Sequence, residues 1–143
     1  MLKVLEKLRR ICAKSSRQSE KFAIDEILSR HFRKSEFACK CGCGFDDVDP
    51  ELIELLEEVR SYFGHRPIRI LSGCRCESHN KTVGGSPKSQ HMLGKACDFY
   101  VEGVESLFIT AYLRNRYPTS LGIGEYSSFT HVDVRSEKAR WSS

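Results

Sequence analysis

The sequence predicts one α+β domain, a small and mostly antiparallel sheet with flanking helices. Three observations carry that expectation. Its 143 residues are the length of one ordinary domain, with enough chain for a hydrophobic core. Helix-spaced and strand-like segments interleave along it, and the last two strand-like segments carry a hairpin signal. No internal repeat or second domain is visible.

Taken in order, Leu2, Leu5, Leu8 and Ile11/Cys12 recur at helical spacing and predict an amphipathic helix over residues 2–13. Ser15-Ser16 weakens it, and Ile24, Ile27 and Leu28 predict a second short helical piece. Residues 1–30 therefore read as a basic amphipathic N-terminal segment ahead of a domain over 31–143. A Cys- and Gly-rich loop follows, Cys39-Lys-Cys-Gly-Cys-Gly44. The clearest helix begins at Asp49-Pro50, a good N-cap followed by a proline tolerated in the first turn. Its stripe is Leu52, Leu55, Leu56, Val59 and Phe63, and Gly64 is a natural stop. Residues 67–71 read as a strand. Residues 74–90 read as a long polar loop, a type that is usually functional in a small domain. A short strand over 98–101 and a helix over 105–116, ending before Pro118, come next. Residues 121–126 and 129–135 read as a hairpin turning near Ser127-Ser128.

Composition narrows the function. A hydrophobic fraction of 40% and a charged fraction of 29% fit a globular chain. No apolar run approaches the roughly 20 residues needed to cross a bilayer. The opening residues are broken by charge and lack the continuous apolar stretch of a secretory signal. The expectation is a protein made in the cytoplasm that acts after release or export. Residues 1–21 hold seven Lys/Arg against Glu6 and Glu20, so the whole formal charge of +4 belongs to them and the body is near neutral. That speaks against a nucleic-acid partner, which calls for basic residues spread over a face. The basic segment suits an anionic wall or membrane surface, or is simply a solvated helix face.

One stretch carries chemistry. A catalytic zinc site needs three protein ligands and one open position. Ser89-Gln-His-Met-Leu-Gly-Lys-Ala-Cys-Asp98 places His91 and Asp98 seven residues apart, with Gly94 letting the backbone turn between them. The third candidate, His131, lies in Phe129-Thr-His-Val-Asp-Val-Arg135. Strand alternation puts His131, Asp133 and Arg135 on one face and Thr130, Val132 and Val134 on the other. Three polar groups on one sheet face mark that face as a site.

The string Ser-x-His-x-x-Gly-x-Ala-x-Asp, followed by His-Val-Asp, closely resembles the zinc D-Ala-D-Ala carboxypeptidase and L-alanyl-D-glutamate endopeptidase family. The wider group includes lysostaphin-type enzymes and the hedgehog signalling domain. The resemblance runs from about Phe37 to Trp141. It takes in Leu71-Ser-Gly-Cys-Arg75, His79-Asn-Lys-Thr-Val-Gly-Gly85, Gly122-Ile-Gly124 and the His-Val-Asp-Val-Arg segment. It implies a hedgehog-like peptidase fold, a monomer, and zinc held by His91, Asp98 and His131. It also implies hydrolysis of amide bonds in the stem peptide or cross-link of bacterial peptidoglycan, by an endolysin of phage or prophage type or by a wall-remodelling enzyme. Arg75 would hold or polarise the substrate, as a guanidinium can by two parallel hydrogen bonds. His79 and Gln90 are further candidate substrate contacts.

The general base is left between two carboxylates. Many carboxypeptidases of the family place an acid three residues before the last histidine ligand, where this chain has Ser128. Asp133 shares the face of His131 and is either the base or an orienting group behind His131 or Arg75. Glu125 lies six before His131, the hedgehog-like spacing. A two-residue hairpin loop pairs Glu125 with Thr130 on the wrong face, and a three-residue loop brings it to the site face. Asp133 ranks ahead. The seven cysteines include Cys39, Cys41 and Cys43 with Cys74 and Cys76. They read as a thiolate zinc site, as later disulfides or as reduced thiols, while Cys97 reads as a core residue. The alternative to an enzyme is a zinc-retaining, catalytically weak wall-binding module of the same fold.

Overall fold

The computed structural model describes residues 24–143. The helix expected over residues 2–13 lies outside them, as does most of the 1–30 segment. Helix α1 (Pro50–Tyr62) forms as its sequence directs: the Asp49 side chain accepts the Glu51 N–H at 2.9 Å, and Pro50 occupies the first turn. Leu52, Leu55, Leu56 and Val59 are buried, Ile53 beside them, and Phe63 caps the helix partly buried.

Five strands follow: β1 (Ile68–Ser72), β2 (Ala96–Val101), β3 (Gly122–Glu125), β4 (Thr130–Asp133) and β5 (Ala139–Ser142). Their order in the sheet is β1-β2-β4-β3-β5, and every pairing is antiparallel except that of β3 with β5. Helix α2 (Glu77–Thr82) lies between β1 and β2, and α3 (Ser106–Arg116) between β2 and β3. Cys97, Phe99, Val101, Ile123 and Val132 point to one face and join the α1 and α3 residues Leu52, Leu56, Val59, Ile109 and Leu113 in a single core. The two helices are tied together by Glu58, which accepts the hydroxyl protons of both Tyr112 and Tyr117, and by the stacked rings of Tyr62 and Tyr112. The opposite sheet face is therefore free to be polar.

Two expectations are corrected, and one strand is added. Residues 24–28 form no helix. Ile27 makes an isolated antiparallel bridge to Arg33, and Ile24 and Ile27 are 94% and 65% exposed, so their spacing was not a buried stripe. The stretch 74–90 is not all loop, because it contains α2, whose polar sequence Glu-Ser-His-Asn-Lys-Thr shows no apolar face. Strand β5 was not foreseen. The expected hairpin is present with Glu125 opposite Thr130, and β2 begins two residues earlier than expected. Among the described residues no helix is long and apolar enough to cross a membrane.

Candidate metal centre

The polar sheet face is organised in lateral rows. Asp98 on β2 pairs with His131 on β4, His131 with Gly124 on β3, and Gly124 with Trp141 on β5. Gly124 leaves the row bare at that point, and a Cβ there would collide with the Trp141 indole. The indole instead lies 4.9 Å from the His131 ring, centroid to centroid. The next row is Ala96, Asp133, Gly122 and Ala139. Small neighbours on every side let the Asp133 carboxylate sink to 0% exposure.

His91 comes to this face from a 3₁₀ turn, Gln90–Leu93, capped by Ser89, whose Oγ accepts the His91 N–H at 3.3 Å. The turn closes on Gly94 at φ 68°, in the left-handed region, and a Cβ there would strike the Asp47 carbonyl. The chain then enters β2 with Asp98 facing His91. A β-bulge in β1 between Ile70 and Ser72 sets Ser72 opposite Asp98. Ser72 Oγ accepts the Arg75 Nε–H at 3.0 Å, and Arg75 Nη2 donates to Asp98 Oδ2 at 3.0 Å.

The three expected ligands meet. Asp98 Oδ1 lies 3.3 Å from His91 Nε2 and 2.9 Å from His131 Nδ1. The other nitrogens are committed: His91 Nδ1 is 2.7 Å from the Gly73 carbonyl and His131 Nε2 is 2.9 Å from Asp133 Oδ2. Both of those partners can only accept, so they draw the ring protons to themselves. Each neutral imidazole is left with its lone pair aimed at a carboxylate oxygen that is also only an acceptor. Such a triad is stable only with positive charge among its members, and a divalent cation fits it. The outer hydrogen bonds, to a carbonyl and a carboxylate, are those that orient metal-binding histidines.

The electrostatics agree. With ring protons standing where a cation would sit, burial opposes ionisation of Asp98, but hydrogen bonds from His131 and His91 outweigh it and hold the carboxyl well below the usual carboxylate range. Burial likewise opposes the charge on Asp133, and Arg135 and His131 overcome it with the same result. For His131 burial disfavours the imidazolium, yet hydrogen bonds to Asp133 and Asp98 win and raise its pKa above 6.5. Arg135 holds Asp133 through Nε at 2.6 Å and Nη2 at 2.7 Å.

The triad lies in the wall of an open cleft of about 520 Å³. Arg75 and Gln90 line it as expected, together with Lys88, Tyr126, Arg135 and Trp141. His79 does not line it: it sits on α2, its N–H donating to Cys76 Sγ at 3.4 Å. Glu125 is also elsewhere. Opposite Thr130, it faces α3, where its carboxylate accepts the Thr110 hydroxyl at 2.7 Å and stands 3.5 Å from Arg114. Asp133 is present but sealed beneath His131, with no face on the cleft. Tyr126 and Trp141, joined by an Nε1–H to hydroxyl bond of 3.0 Å, were missed by the sequence reading. Their signal was Trp141 itself, a lone tryptophan at the end of the region of family resemblance.

The family model described as Peptidase M15 matches residues 30–133. The chain belongs to the peptidase M15 family. Among curated proteins it is 29% identical over 93 residues to the peptidoglycan L,D-endopeptidase MepK of Escherichia coli K12, and equally to its counterparts in Escherichia coli O157:H7 and Shigella flexneri. The alignment takes in 61% of this chain and 51% of MepK, so the chain spans about half the length of the curated relatives it matches. The single α+β domain with its five-stranded sheet is consistent with the fold of that family.

Proposed function

We propose that this chain is a zinc-dependent peptidase acting on the peptide part of bacterial peptidoglycan, with the ion held by His91 Nε2, Asp98 Oδ1 and His131 Nδ1. The observation that carries the reading is the convergence of two imidazole lone pairs on one carboxylate oxygen in the wall of a cleft. Two nitrogens and one oxygen, with cleft space beside them, suit zinc in a hydrolytic site. Zinc supplies Lewis acidity there, making water nucleophilic near neutral pH and polarising a carbonyl. Arg75 fixes Asp98 through Oδ2, so that Oδ1 stays turned to the histidines, and it remains at the cleft to meet a developing oxyanion. Asp133, backed by Arg135, keeps the His131 proton on Nε2 and so acts as a positioning residue. Lys88 lines the cleft with no carboxylate partner among the described contacts, and with the guanidinium groups of Arg75 and Arg135, though these are paired with Asp98 and Asp133, it offers donors that suit a substrate carboxylate. Similarity to MepK makes the L,D-amide bond, cut internally, the first to examine.

One observation favours the second reading, a zinc-retaining binding module with weak catalysis. Apart from Asp98, no carboxylate lines the cleft among the described residues. The two readings part on purified peptidoglycan incubated with the zinc-loaded chain, with the released fragments read by mass spectrometry. The peptidase reading expects new peptide termini that vanish in His91→Ala, Asp98→Ala and His131→Ala, each of which also loses tight zinc. Walls bound but uncut by fully zinc-loaded protein would establish the binding module. Termini at a D-Ala carboxyl end would replace internal cleavage by carboxypeptidase action. Full activity in any ligand variant refutes the site.

A further inference from the structure

A second group of ligand atoms lies away from the cleft triad, and the peptidase reading does not use it. The Sγ atoms of Cys39, Cys41, Cys43 and Cys76 all lie within 4.8 Å of one another. Cys39 and Cys41 stand 3.4 Å apart and Cys41 and Cys76 3.6 Å apart. Four sulfurs each about 2.3 Å from one zinc ion would stand roughly 3.8 Å from each other at the tetrahedral angle. The cluster is thus close to the size that an ion requires, and none of its members is in a disulfide.

The backbone is arranged to bring these sulfurs together despite a one-residue spacing that is unusual for zinc. Gly42 and Gly44 adopt φ 81° and 91°, where other residues are strained, and the Gly42 N–H returns to the Cys39 carbonyl at 3.2 Å. The chain therefore coils tightly enough for three alternate side chains to point to one centre. The fourth arrives from far along the sequence: Cys76 precedes α2, and the Cys74 N–H binds the Phe37 carbonyl at 2.8 Å, laying the two segments side by side. Three of the sulfurs also receive backbone N–H groups: Cys39 from Cys76 at 3.4 Å, Cys43 from Phe45 at 3.5 Å and Cys76 from His79 at 3.4 Å.

We propose that Cys39, Cys41, Cys43 and Cys76 bind a structural zinc ion, a closed four-thiolate site separate from the cleft triad. All four positions are filled by protein, so it has no place for water or substrate. Its work is to clip the 39–44 loop to the segment 73–76. That segment supplies the Gly73 carbonyl that orients His91 and the Arg75 that holds Asp98. An ion binding the folded chain and not the unfolded one adds directly to stability.

The test uses the full chain purified under reducing conditions without chelator. Elemental analysis should give two zinc ions per chain. The double variant His91→Ala/His131→Ala, which leaves every cysteine in place, should keep one, and X-ray absorption should find four sulfurs at about 2.3 Å around it. Cys41→Ser/Cys43→Ser should lose that zinc while the remaining metal shows nitrogen and oxygen neighbours. If the double histidine variant is metal-free, or its metal has no sulfur neighbours, the site does not exist. Iron in place of zinc, or an intact mass showing oxidised cysteine pairs in the wild type, would overturn the assignment equally. Loss of the cleft metal alone would leave this site standing, so the two can fail separately.

Discussion

Replacing Asp133 by Asn isolates the group on which the reading of the cleft turns. The carboxylate is fully buried and accepts from Arg135 Nε and Nη2, from His131 Nε2 and from the Gly122 N–H at 3.2 Å. Asn keeps the shape and removes the charge, and its amide nitrogen must face at least one donor. A hydrogen bond to a charged partner contributes about 1.5–3 kcal/mol. Arg135 is one-third exposed and recovers part of its loss from water. A net destabilisation of about 2–3 kcal/mol follows, less than for breaking a sealed ion pair. Because Asp133 orients His131 from behind, zinc affinity should also fall, by about 10–100-fold. Urea denaturation measures the first effect and chelator competition the second, and turnover is then compared at saturating zinc. Wild-type zinc affinity combined with turnover lowered by orders of magnitude would refute the positioning role and make Asp133 the base.

Other perturbations separate neighbouring ideas. Glu125→Gln should leave zinc content and turnover within about twofold of wild type and cost about 1 kcal/mol through the Thr110 and Arg114 contacts. A dead, zinc-loaded Glu125→Gln would reinstate that residue as the base. Glu57 accepts the Ser29 hydroxyl at 2.5 Å, the His31 N–H at 2.9 Å and the His31 ring at 2.7 Å, pinning the start of the domain to α1. Burial raises its pKa, but these bonds outweigh that and hold it below 4.5. A carboxyl lowered in the fold stabilises above its unfolded value and loses that contribution as pH falls through the folded one. Glu57→Gln should therefore cost about 1–2 kcal/mol at neutral pH, with the gap to wild type closing below pH 4.5 in paired urea titrations. Deleting residues 1–21 should spare hydrolysis of a small soluble peptide and weaken action on whole walls at low salt, where seven basic residues act most strongly. Failure of the truncated chain to fold would end the surface-binding idea.

The candidate metal triad was legible mainly through the family resemblance of the string that holds His91, Gly94 and Asp98 and of the His-Val-Asp segment, with strand alternation adding only that His131 and Asp133 share a face. Helix α1 was legible from its own pattern, a cap followed by a stripe. What escaped depended on partners distant in sequence. Strand β5, Ala-Arg-Trp-Ser, alternates over only four residues, too few to signal a strand, and is held by the parallel edge that β3 offers it. Ile24, Ile27 and Leu28 carried a helical spacing, but Ile24 and Ile27 stand exposed and only Leu28 packs against the core. The direction of Glu125 hung on the length of one turn, and the pairing with Thr130 decides it. Asp133 could be placed on the right face, but not sealed, because its burial comes from Ala96, Gly122 and Ala139 on three other strands and from Arg135 folding back over it.

That sealed pocket gives the molecule a tuning element that never meets the substrate. The Asp133–Arg135 pair can be exchanged as a unit, for instance for a neutral hydrogen-bonding pair of similar volume, while all three ligands stay in place. What would change is how strongly electron density is pushed through the His131 ring toward Nδ1, and with it how firmly the proposed ion would be held. On the proposed reading, the grip of this centre would be set from underneath the sheet surface, by a carboxylate that has no face on the cleft.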